Sequence, residues 1–130
     1  MRDEPNAMDL LEIALKTFNE NILPEVSPEQ RYSALMIANA LSIAARELNE
    51  GEEQGRMILE ALQTLFGEKE KHGMEGIALN EEIEDLERQL CDDIARGKYD
   101  TDFKPLMTCL KTIVHARLAI SNPKLLAAGA

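Results

Sequence analysis

The sequence predicts an all-α protein, an antiparallel helical bundle of four main helices plus a shorter one. Three observations carry that prediction. Apolar residues recur at three- and four-residue spacing through most of the chain. No stretch alternates apolar and polar residues as a half-buried strand would. Glycines and prolines fall between the periodic segments, where helices end. A chain of 130 residues corresponds to about one domain, spanning 1–130, and folding would bury roughly 68% of its unfolded surface. Hydrophobic residues make up 45% of it, aromatics only 4%, and Trp is absent, so Leu, Ile, Ala and Met must build the core.

Leu10, Leu11, Ala14, Leu15, Phe18 and Ile22 give a first helix from about Asn6 to Ile22. Pro24 ends it, since proline lacks the amide hydrogen the ladder needs. Ser27-Pro28-Glu29-Gln30 is a start signal: Ser27 can cap, Pro28 fits the first helical position, and Gln30 completes a capping box. The second helix runs to Asn49 or Glu50, with Gly51 as its stop. Met57, Ile58, Ala61, Leu62, Leu65 and Phe66 carry a third, which Gly67 closes.

Residues 67–78 hold three glycines and mixed charge without a period, and read as a long loop. Leu79, Ile83, Leu86, Leu90 and Ile94 form a narrow seam on a fourth helix ending at Gly97. Lys98 to Thr101 is a turn. A fifth helix starts near Thr101 or Asp102, either of which could cap it, with Pro105 in its first turn. Its apolar positions run from Phe103 to Ile120, Asn122-Pro123 stops it, and 124–130 form a tail.

Charge narrows the partners. Lys and Arg total 14 against 24 Asp and Glu, a net charge of −10, with a pI of about 4.6. Such a field repels a phosphate backbone, so nucleic acid and anionic membrane surfaces are poor partners. The most apolar stretch, Ala34 to Ala45, is shorter than the ~18 residues a membrane span needs. The charged Met1-Arg2-Asp3-Glu4-Pro5 start does not read as an export signal, so the expected compartment is the cytoplasm, with Cys91 and Cys109 reduced. Two histidines, His72 and His115, with no Cys-x-x-Cys and no Glu-x-x-His, argue against a metal, and no cofactor is expected.

The second helix attracts the most interest. Ala34, Ile37, Ala38, Leu41, Ala44, Ala45 and Leu48 cover one broad side, and Met36, Ala40 and Ile43 a second sector. Few helices this apolar lie on a surface, so it is expected at the centre of the bundle. Tyr32, Asn39 and Arg46, seven residues apart, form a narrow polar strip, with Arg31 and Ser42 beside it. Two readings are open. The strip is the solvent-facing edge of the helix, or it is a seam facing a cleft or partner, where Arg and Asn would hold a carboxylate or phosphate.

Arg117, in the middle of the fifth helix's apolar face, is the second anomaly. It is either an ion-pair member, with Glu87 or Asp93 as the acid, or an anion-binding group. Glu81, Glu82, Glu84, Asp85 and Glu87 read as a solvated face, and His115 as solvated. Cys91 lies beside that acidic side, which opposes a reactive thiolate. No catalytic set emerges.

Arg31 through Leu41, continuing in Ile43-Ala44-Ala45-Arg46-Glu47-Leu48, together with Asp93-Ile94-Ala95-Arg96-Gly97-Lys98-Tyr99-Asp100 and Leu118-Ala119-Ile120-Ser121-Asn122-Pro123-Lys124, resembles a family of small bacterial proteins labelled only as a domain of unknown function. The resemblance spans nearly the whole chain. It implies genes beside acyl-CoA dehydrogenase-like and aminoglycoside-phosphotransferase-like proteins, and hence an accessory role in acyl-CoA or small-molecule catabolism. It brings no catalytic residues. The family's arginine, tyrosine, asparagine and second arginine correspond to Arg31, Tyr32, Asn39 and Arg46. The expectation is a non-enzymatic accessory protein that binds a partner protein, plausibly the phosphotransferase-like enzyme. Alternatives are an anion binder using Arg31, Tyr32, Asn39, Arg46 and Arg117, and a structural homo-oligomer.

Overall fold

The computed structural model describes residues 4–69 and 73–129, and every regular element among them is helical. The order is α1 (Ala7–Thr17), a π turn (Phe18–Ile22), a 3-10 turn (Leu23–Glu25), α2 (Arg31–Phe66), α3 (Gly76–Ala95), α4 (Lys104–Ser121) and α5 (Pro123–Ala127). The all-α expectation holds, with four longer helices and one short one, but the chain is divided differently. The expected second and third helices are one continuous rod, and the short helix comes from the expected tail.

Gly51 fails to stop α2 for a clear reason. Glycine in a helix interior costs only ~1 kcal/mol relative to alanine, and it terminates a helix when it adopts the left-handed conformation. Gly67 (φ 67) and Gly97 (φ 83) do so, and both close helices, whereas Gly51 and Gly55 keep negative φ. At Gly67 the cap is a backbone pair, Glu68 N to Gln63 O and Gly67 N to Thr64 O. Lys98 N to Asp93 O does the same after α3.

The helix starts also differ. Asn6 caps α1 by accepting from Asp9 N at 2.9 Å, and Asn6 N in turn donates to the Asp9 carboxylate. Before α2, Gln30 N bonds Ser27 O and Arg31 N bonds Pro28 O, so one turn precedes the helix and the ladder begins at Arg31. Neither Thr101 nor Asp102 caps α4. Phe103 holds that position without a side-chain bond, is 61% exposed, and leaves Pro105 in the first turn as expected. The loop ends sooner than expected, because α3 already begins at Gly76.

The described residues form two compact units, 1–50 and 51–130. The second unit holds the core. Ile58, Leu59 and Leu62 of α2 meet Leu79, Ile83, Leu86 and Leu90 of α3 and Leu106, Cys109, Ile113 and Ala116 of α4. Gly55 lets α3 come close: a Cβ there would lie 3.3 Å from Leu79 Cδ2. Glu52 accepts a bond from Gly76 N at the start of α3, and Lys98, just past its end, lies over the Phe66 ring at the end of α2. This part of α2 and α3 therefore run in the same direction. The short connection 96–103 turns the chain back, so α4 runs antiparallel to both.

The first unit has no comparable interior. In α2 only Ala34 and Ala45 are buried there, while Tyr32, Leu35, Met36, Ile37 and Leu48 are exposed. The expectation that this stretch is the buried centre of the bundle is overturned. The helix is unbroken, yet between Arg31 and Glu50 only Ala34 and Ala45 are fully buried. A paired substitution checks where the core sits. Leu62→Ala, at a fully buried site, should cost about 2–5 kcal/mol in urea unfolding, and Ile37→Ala under ~1 kcal/mol.

Candidate functional site

At about 100° per residue, the first half of α2 has two distinct sides. Ala34 and Ala45 are buried, and Ala38 and Leu41 half-buried, on one of them. Tyr32, Met36, Ile37, Ala40, Ala44 and Leu48 are exposed across the other, with Ile43 half-buried at its edge. Tyr32 is 75% exposed, Met36 56% and Leu48 60%. Ser33 and Glu47 stand among them on the same side, both exposed.

The polar strip divides along its length. Tyr32 and Asn39 are exposed, as is Arg31. Arg46 is half-buried and engaged within the molecule. Ser42 is half-buried, and its hydroxyl donates to Ala38 O at 3.0 Å, which ties it to its own helix. Tyr32 and Asn39 therefore stand in water.

Arg117 belongs to the second unit and pairs with Glu87, joining α4 to α3. The acid is one of the two the sequence offered; the other, Asp93, pairs with Lys98 at 3.5 Å. The Arg117 side chain is 56% exposed, so it skirts the apolar face instead of entering it. Solvent screening and the entropy of ordering two long side chains limit such a pair to ~0–1 kcal/mol.

The acidic stretch of α3 behaves as a solvated face. Glu81, Glu84 and Asp85 are exposed, and Arg88 pairs with Glu84 and Asp85. His115 is exposed, while His72 lies outside the described residues. Among the described residues no three His, Cys, Asp or Glu side chains are placed to hold a metal. Both cysteines are free thiols, Cys91 exposed and Cys109 buried. Burial pushes the Cys109 thiol up, and the Glu87 carboxylate adds to that, so Cys109 stays protonated.

Sequence reading missed a groove in the second unit. It has a volume of about 480 Å³ between α2 and α4, lined by Met57, Ala61 and Leu65 on one side and Pro105, Thr108, Cys109 and Thr112 on the other. Glu60 and Thr64 also line the α2 side, while on the α4 side the threonine hydroxyls bond their own helix: Thr108 donates to Lys104 O and Thr112 to Thr108 O, each at 3.2 Å. The groove presents mostly apolar surface. Two buried polar atoms in this unit, Gln63 Nε2 and the Tyr99 hydroxyl, have no hydrogen-bond partner among the described residues. A glutamine among core leucines carries no signal in the sequence that separates it from a surface glutamine.

Two outcomes follow for this unit. Arg117→Met should lower stability by no more than about 1 kcal/mol in urea unfolding. Treatment of the folded protein with a maleimide at neutral pH should label Cys91 alone, with Cys109 reacting only after denaturation; mass spectrometry reads both.

No helix among the described residues is long and apolar enough to cross a membrane. No curated protein and no solved structure matches the chain. A family model described as "Domain of unknown function (DUF6285)" matches residues 24–125, which takes in α2, α3 and α4 and leaves α1 outside; the chain belongs to that family.

Proposed function

We propose that the chain is a non-enzymatic accessory protein that acts by binding another polypeptide through the exposed apolar side of α2 between Tyr32 and Leu48. The observation that carries this reading is the exposure of Tyr32, Met36, Ile37 and Leu48 on one side of a rod whose opposite side is covered. Water contact with these side chains is unfavourable by ~25 cal/mol per Å², and a partner that covers them recovers it. Tyr32 and Met36 are also residue types enriched at protein interfaces. The resemblance to an accessory family encoded beside a phosphotransferase-like enzyme offers that enzyme as one candidate partner; the surface itself offers a second copy of the chain.

The alternative, a carboxylate or CoA phosphate held by the Arg31, Tyr32, Asn39 and Arg46 strip with Arg117, has weaker support. Exposed donors are already satisfied by water, and Arg117 is committed to Glu87. A ligand at 100 times its Kd would add ~2.7 kcal/mol to stability. A thermal-shift panel of acyl-CoAs and nucleotides is expected to leave Tm unchanged.

Sedimentation velocity of the chain, alone and mixed with the phosphotransferase-like enzyme, tests the association reading. At about 10 µM, a concentration suited to micromolar affinity, a species heavier than the free monomer is expected in at least one sample. Ile37→Glu should remove it. A monomer in both samples contradicts the reading.

A further inference from the structure

We infer that the groove between α2 and α4 is a binding site for a small organic amine, an ammonium group on a compact hydrocarbon body. All of its lining lies within the second unit, so the inference goes beyond the association reading and stands or falls apart from it.

Size and walls set the body of the ligand. A volume of about 480 Å³ falls in the ~300–1,000 Å³ range of small-molecule sites. Cys109, 4% exposed, lies at its floor, Ala61 and Leu65 are half-buried, and Met57 stands exposed at its rim. Burial keeps the Cys109 thiol protonated, so the floor is neutral and behaves as apolar surface. Ala61 has the smallest side chain of the lining, and a larger residue there would fill the room above it.

The polar atoms set the head group. Glu60 is the one charged residue among those lining the groove, and among the described residues it has no ion-pair partner. Thr108 and Thr112 spend their hydroxyl hydrogens on carbonyls of α4, which leaves their oxygens only lone pairs to offer. The Thr64 hydroxyl rotates to suit its partner. No lysine, arginine, histidine, asparagine or glutamine lines the groove among the described residues. A ligand therefore meets acceptors and a negative charge, with no fixed donor. An ammonium group brings donors and the opposite charge. A carboxylate or phosphate would face Glu60 with no cation to offset it, and the net charge of −10 adds to that repulsion. Glu60 is exposed, so its contact contributes no more than about 5-fold in affinity, and the apolar walls supply the rest.

Three compounds with one body separate the head group from the walls: phenylbutylamine, phenylbutanol and phenylbutyrate. Each is titrated into the full chain in about 0.15 M salt, which screens diffuse charge, and followed by NMR of the Met57, Ala61 and Leu65 methyls. The amine should shift these methyls with a Kd of about 1 mM or tighter. The alcohol should bind roughly 3- to 5-fold more weakly, and the acid should not bind up to about 10 mM. Glu60→Gln, at an exposed site, should bring the amine to the affinity of the alcohol and leave the alcohol unchanged. Ala61→Leu, folded by circular dichroism, should abolish binding of both; the Glu60 readout does not depend on that variant folding. An amine that shifts none of these methyls at about 10 mM overturns the site. So does an acid that binds as well as the amine. An amine whose affinity survives Glu60→Gln overturns it too, since that marks diffuse attraction to an acidic protein.

Discussion

The length of α2 is the constraint on which the rest depends. Its 36 residues span about 54 Å, whereas α3, with 20, and α4, with 18, span about 30 and 27 Å. Within the second unit, α3 and α4 pack on the part of α2 that follows Glu50. The covered half supplies Ile58, Leu59 and Leu62 to the core. The remaining half shares its unit with α1, which contributes no buried residue, and its apolar surplus is left in water. An interior helix and an exposed helix are thus parts of one continuous element.

Where a helix has a single apolar side, the sequence located most of the buried positions in α3 and α4. Of the expected seam, Leu79, Ile83, Leu86 and Leu90 are buried while Ile94, in the last turn, is exposed, and Arg117 pairs with Glu87, one of the two acids within reach of it in sequence. The first half of α2 was illegible for the opposite reason. It is apolar around most of its circumference, so periodicity could not choose between Ala34–Ala38–Ala45 and Met36–Ile37–Leu48 as the buried set. The break expected at Gly51 rested on residue type, while the quantity that decides is φ, which an isolated glycine does not reveal. The direction of α3 was equally hidden, since it is fixed by close approach at Gly55 and by Glu52 reaching Gly76 N, neither of which is a local pattern.

The polar strip read from the sequence and the exposed apolar side share one stretch of α2. The same stretch, Arg31 to Leu48, drew attention for its polar strip, yet its distinguishing feature in three dimensions is the exposed apolar side next to that strip. Arg46 and Ser42 are tied within the molecule, which removes two of the five polar groups from outward recognition. The family match covers this stretch and carries no assigned chemistry.

Hydrogen exchange along α2 tests the central claim most directly. In dilute solution the amides of 58–66 should exchange slowly and those of 32–48 much faster. Equal, strong protection along the whole of α2 in dilute solution would contradict the account, because it would mean that the first half is buried within a single chain.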